Sequence, residues 1–228
     1  MIANTDQRVF DVIEITNELP PHRTGGVGTV IENLMAGLPR QYLRVLWYLT
    51  DHAYIPDQLP SLLERFVNVA VGSYDELSHF RARVLHLHAY QENPALRRLL
   101  SERRAVCTIH SLLALEERTN DVDLSGAVAW QESMIELCDT VVLVSEAERR
   151  QYQALAYDRL NPRVRVIHNG ICRHAPFRSP RGKRVLGYCG RLVPRKHPEY
   201  VQMILAEPDF ESWPCVGESG SSATSPTT

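Results

Sequence analysis

Short β-rich runs alternate with helical stretches almost from the start of the chain, and that alternation constrains the fold more than any other feature. The spacing predicts strands over residues 9–16, 43–50, 65–71, 84–88, 105–110, 140–145 and 164–168. Between them, residues 30–38, 94–102, 126–137 and 146–156 carry apolar spacing suited to helices. Strands that alternate with helices build a parallel sheet covered on both faces. Val141, Val142, Leu143 and Val144 form a run with no polar position, as a central strand buried on both sides requires. Residues 1–172 therefore read as one doubly wound α/β domain with a parallel sheet.

The pattern then breaks and restarts. Residues 173–183 are rich in Pro, Arg, Ser and Gly, which suits an exposed linker. Beyond it come a strand over 184–189, a loop over 190–196, a helix over 198–206 and a second strand over 212–216. That is the first β-α-β piece of a second domain, and 184–217 read as its incomplete start. Residues 218–228 are mostly Gly, Ser, Thr and Pro, which cannot build a core, and a disordered tail is expected there.

Composition removes several function classes. The formal net charge of -2 lacks the basic excess of a nucleic-acid binder. The longest apolar runs, such as 140–144, fall far short of the roughly 20 residues of a membrane span. Residues 1–8 are polar and carry no signal-peptide centre. The 5 cysteines are scattered without a C-x-x-C pair, which fits reduced thiols better than a disulfide frame or a zinc site. Buried, inert roles are expected for Cys107, Cys138 and Cys189. A cytoplasmic protein is expected, with peripheral attachment to a membrane left open.

Three constellations carry candidate chemistry. Gly25, Gly26 and Gly28 precede a helical stretch, so backbone can approach a ligand and helix N–H groups can meet an anion; a plain tight turn is the alternative. A dinucleotide fingerprint fits poorly, because Ile31 stands where the third glycine of G-x-G-x-x-G belongs. The glycines also lie about ten residues past the strand, and Asp51 alone is weak support for a ribose-binding acid. The second constellation is His86-Leu87-His88 and Thr108-Ile109-His110-Ser111, each ending a predicted strand, where open α/β sheets bind ligands. His110 is the stronger functional candidate, whereas a core role for His86 stays open. We expect the rings of His86 and His88 to part to opposite faces of their strand, and expect no metal. The third is the loop carrying Arg191, Arg195 and Lys196 after Gly190, suited to a diphosphate, with a solvated basic loop as the alternative.

Taken together these residues resemble glycosyltransferase family four, retaining enzymes of the two-domain GT-B type. Gly25-Gly26-Val27-Gly28 with Leu34-Met35-Ala36-Gly37-Leu38 is similar to the family's glycine-rich loop and first helix. His86-Leu87-His88 resembles its H-x-H strand end, and Thr108-Ile109-His110 its T-x-H. Val144-Ser145 resembles the V-S that joins a strand to a helix. Val166-Ile167-His168-Asn169-Gly170-Ile171 resembles V-I-x-N-G-I/V-D, with Cys172 in place of Asp. Gly190-Arg191-Leu192 through Lys196 matches G-R-L-x-x-x-K. These motifs stand in order across residues 9 to about 217.

The resemblance implies a Rossmann-like N-terminal domain on the acceptor side and a C-terminal domain for a nucleotide sugar. It implies a donor diphosphate held by Arg191 and Lys196, with Gly26 and Gly28 close to the donor. His110 would act catalytically on the reacting sugar or acceptor, and His88, Ser111 and Asn169 would line the cleft. Retention would follow from same-face attack, with no carboxylate nucleophile and no metal or other cofactor. The partners implied are a nucleotide-sugar donor and a small-molecule, glycan or lipid-linked acceptor. The family's E-x7-E pair has no counterpart; Glu211 and Glu218 have that spacing by coincidence. A chain that stops early in its second domain is expected to be inactive alone. The alternative is a non-catalytic α/β module that binds a sugar, an acceptor or a partner enzyme.

Overall fold

The computed structural model describes residues 9–18, 26–38, 44–50, 68–88, 93–120 and 122–170, together with 199, 200 and 203. The chain divides into two units, Met1–Arg173 and His174–Thr228. The seven strands among the described residues all belong to the first unit. In the second unit the three described residues are helical. The expected linker, the strands of 184–217 and the tail lie outside the described residues.

The first unit runs β1 (Val9–Thr16), α1 (Gly26–Gly37), β2 (Val45–Leu49), β3 (Val69–Val71), α2 (Tyr74–Leu77) and β4 (Arg81–Leu87). It continues with α3 (Pro94–Glu102), β5 (Ala105–Ile109), α4 (Leu113–Asn120), α5 (Ser125–Leu137), β6 (Thr140–Leu143), α6 (Glu146–Ala154) and β7 (Val164–Val166). The strands form one sheet in the order β3-β2-β1-β4-β5-β6-β7, with every pair parallel. This is the Rossmann-like α/β arrangement expected from the alternation. The order reverses between β1 and β4, and in such sheets ligands bind beyond the strand ends at that reversal. Among the described residues, no helix is long and apolar enough to cross a membrane.

Local chemistry sets where the helices start. Asn93 accepts hydrogen bonds from the N–H groups of Ala95 (2.8 Å) and Leu96 (3.3 Å), and Pro94 needs no partner in the first turn. Ser145 caps α6 by accepting from Glu148 N at 3.1 Å, while the Glu148 carboxylate accepts from Val144 N at 2.9 Å. The strand-to-helix junction read as V-S is therefore a tied corner.

The two faces of the sheet differ. Ile13, Ile15, Leu85, Leu87, Cys107, Ile109, Val141 and Leu143 point to one face, where they join Leu96 and Leu99 of α3, Trp130 and Met134 of α5, and Tyr152 of α6. Each such aliphatic side chain, fully buried, is worth about 1.5–3 kcal/mol. Cys107 and Cys138 are buried free thiols within this core. On the opposite face Val45, Trp47 and Leu49 of β2 pack beneath Ile31 and Met35 of α1. That apolar row does not continue. Glu14 pairs in register with Trp47 on one side and His86 on the other, so the same face turns polar as it crosses β1.

Candidate active site on the polar face

The polar stretch is built from strand register. In a strand, residues two apart share a face, so Glu14 and Thr16 of β1 align with His86 of β4, His88 just beyond it, and Thr108 of β5. This corrects the expectation that the two histidines part. Their rings lie on one face, with centroids 4.2 Å apart. The ladder continues one residue past β4, where His88 N donates to Ile15 O at 2.8 Å, and this fixes the second imidazole beside the first.

A chain of hydrogen bonds links these side chains. Glu14 Oε2 lies 2.8 Å from His86 Nδ1 and 2.9 Å from His88 Nε2. His86 Nε2 lies 2.8 Å from Thr108 Oγ1, and His88 Nδ1 lies 3.0 Å from His110 Nε2. Glu14, His88 and Thr108 are buried, whereas His86 and His110 are partly exposed. Burial alone would raise the Glu14 pKa, but the charge and hydrogen bonds of His86 and His88 outweigh it and hold the carboxylate down at about 2. Burial lowers His88, against the pull of Glu14. Burial also brings His110 down to about 3, with the charges of His88 and His86 adding to it. The site thus holds a fixed carboxylate and, in His88 and His110, two imidazoles that burial keeps uncharged at neutral pH.

A cavity of about 450 Å³ opens on this row. Its floor is His86, His88, Thr108 and Val142; its walls are Val30, Asn33 and Leu34 of α1, Leu38 just past that helix, and residues 167–170 after β7. The expected cleft residues His88 and Asn169 both line it, and so does His168. His110 touches the row through His88 and is not among the lining residues. Ser111 lies in the turn after β5, where its carbonyl accepts from Gln131 Nε2 at 3.0 Å.

The glycine segment differs from a loop followed by a helix. Gly26 and Gly28 already belong to the first turn of α1. A Cβ added at Gly26 would meet no heavy atom within 4 Å. The Gly28 amide is taken: it donates to Glu18 Oε2 at 2.9 Å. Glu18 reaches it from a local turn, in which its own N–H donates to Thr16 Oγ1 and the Thr16 hydroxyl donates to Glu18 O, each at 3.0 Å. A carboxylate thus sits where a helix N-terminus favours an anion. Arg191 and Lys196 lie outside the described residues.

Sequence reasoning missed Glu14 and Glu18. A lone acid within the otherwise apolar end of a strand was the available signal for Glu14, but its partners depend on cross-strand register.

A search of curated proteins gave no match. The family model for glycosyltransferase family 4 matches residues 24–173, more than half of the 228-residue chain, and spans α1, the histidine row and the strand end at Asn169. With an all-parallel Rossmann-like sheet and a cavity at its reversal point, this chain belongs to glycosyltransferase family 4.

Proposed function

We propose that the chain transfers a sugar from a nucleotide-sugar donor to an acceptor hydroxyl, with retention of configuration at the sugar carbon. The observation that carries this reading is the row Glu14–His86–His88–Thr108 opening onto a cavity at the reversal point of a family 4 sheet. The acceptor lies in that cavity against His88 and Asn169, and His110 and Ser111 support it from behind. Burial keeps His88 and His110 uncharged, so an acceptor can pack against this row without a charged imidazole to desolvate.

The donor meets the first turn of α1. Open space at Gly26 admits a phosphate or sugar oxygen, and Glu18 yields the Gly28 amide to the arriving anion. Arg191 and Lys196 hold the donor diphosphate and neutralise the charge that grows as the nucleoside diphosphate leaves; this is the largest catalytic contribution. The diphosphate needs no metal when two cations grip it. Glu14 is buried and shared between two histidines, so it is a poor nucleophile toward a sugar. With Glu14 so engaged, we favour the same-face attack that the family resemblance implies over a covalent intermediate on Glu14. We place the reaction in the cytoplasm, where thiols such as Cys107 and Cys138 stay reduced.

A second reading, a module that binds a sugar or acceptor without catalysis, is favoured by one observation: every described residue that lines the cavity belongs to the first unit. A panel of nucleotide sugars and saccharide acceptors, run on protein that carries a complete second domain, separates the two, with products read by mass spectrometry and anomeric configuration by NMR. Transfer with retention is expected, and Arg191→Ala or Lys196→Ala should lower turnover by about 10²-fold. Wild-type turnover in both variants would overturn the diphosphate assignment. Saccharide binding with no transfer from any donor would establish the second reading.

A further inference from the structure

We propose that Glu14, His86 and His88 form a binding site for a divalent transition-metal ion of the zinc class, at the edge of the cavity. Three ligand atoms, Glu14 Oε2, His86 Nδ1 and His88 Nε2, lie within 4.8 Å of one another. The carboxylate oxygen is 2.8 Å and 2.9 Å from the two nitrogens. Zinc binds imidazole and carboxylate at about 2.0–2.2 Å, so a small outward shift of the rings makes room for it. Two imidazoles and one carboxylate favour zinc and its neighbours over magnesium or calcium, which take oxygen ligands.

The surroundings supply what a metal site needs next. A histidine that ligates metal through one ring nitrogen donates its other N–H to a partner, which fixes tautomer and orientation. His86 Nε2 already has Thr108 Oγ1 at 2.8 Å, and His88 Nδ1 has His110 Nε2 at 3.0 Å. Both outer partners can serve as donor or acceptor. With protons on the inner nitrogens, the row points at Glu14. With an ion there, the protons move to the outer nitrogens and the same contacts run in the opposite direction. No polar group in the row is stranded in either state. His86 and His88 also line the cavity, so a ligand entering it reaches the remaining coordination position. This inference stands whether or not the chain transfers a sugar.

The test is a calorimetric titration of Zn²⁺ into the purified 228-residue chain after chelator treatment, with Co²⁺ substituted for visible absorption. One equivalent of Zn²⁺ should bind, Co²⁺ should show the bands of a low-coordinate ion with imidazole ligands, and Mg²⁺ should give no such binding. Thr108→Val should weaken Zn²⁺ binding by about 10-fold, and Glu14→Gln or His86→Asn should weaken it by about 100-fold or more. Circular dichroism in chelator checks that each variant folds. If Glu14→Gln does not fold, His86→Asn decides, because the His86 side chain is 20% exposed and tolerates change more readily. Absence of stoichiometric Zn²⁺ binding, or equal affinity in folded Glu14→Gln and His86→Asn, would overturn the proposal.

Discussion

The two faces of the central sheet use the same strands for opposite ends. On one face, Ile13, Ile15, Leu85, Leu87, Cys107 and Ile109 are wholly buried beneath α3, α5 and α6. On the other, their immediate neighbours Glu14, His86, His88 and Thr108 exchange hydrogen bonds beside a cavity. A doubly wound sheet gains most stability when both faces are apolar. Here stability is concentrated on one face, and the other carries polar groups that packing alone would not select. The site is therefore not confined to loops beyond the sheet; it extends into the strands themselves.

Three perturbations sharpen the contrast, taken in order of expected size. Leu87→Ala removes a side chain that is 0% exposed on the packed face and should cost about 2–5 kcal/mol in urea unfolding. A cost within error of zero would mean that this face is not the stabilising one.

Acid comes second and acts on the polar face, in chelator so that no ion intervenes. Glu14 is held near 2, below its ordinary 4.5, so its contribution is complete above 4.5 and is lost as pH falls toward 2. His110 is held near 3, below its ordinary 6.5, so below 6.5 the unfolded chain takes up a proton that the folded chain refuses. Both effects lower stability as pH falls from 6.5 to 3. The urea midpoint should decline across that window, and His110→Gln should flatten its upper part. Equal slopes in both proteins would remove His110 from the buried row.

Gly26→Ala is the smallest. An added methyl meets nothing within 4 Å, so stability should change by no more than about 1 kcal/mol. Transfer should nevertheless fall if the proposed donor meets the first turn of α1, because the methyl fills the space that donor would use. Unchanged turnover would make Gly26 an ordinary first-turn residue.

Much of this was legible in the sequence, and what was not has physical reasons. The alternation marked all seven strands, because period-two and apolar runs are local signals. β4 begins at Arg81 rather than at residue 84, since pairing of Val9 with Arg81 extends the ladder over polar positions. α2 is a single turn fixed by Ser73 and Glu76, whose reciprocal bonds form a capping box that the spacing Ser-x-x-Glu could have revealed. α4 has the sequence Leu-Ala-Leu-Glu-Glu-Arg-Thr-Asn, with no apolar stripe, and Leu113 N is held by Gln131 Oε1, a partner eighteen residues away. The strand-end histidines were visible as motifs. Their convergence on Glu14 was not, because which residues of distant strands stand side by side is decided by register.

The most direct measurement uses neighbours on opposite faces. Leu87 and His88 are adjacent, both buried, and differ in which side of the sheet they face. Sugar transfer per folded molecule should be compared for Leu87→Ala and His88→Gln in protein that carries a complete second domain, with the folded fraction taken from unfolding curves. The account predicts that Leu87→Ala keeps near wild-type transfer per folded molecule while losing stability, and that His88→Gln keeps most of its stability while losing transfer. Wild-type transfer in folded His88→Gln would contradict the claim that the polar face of the sheet is the active one.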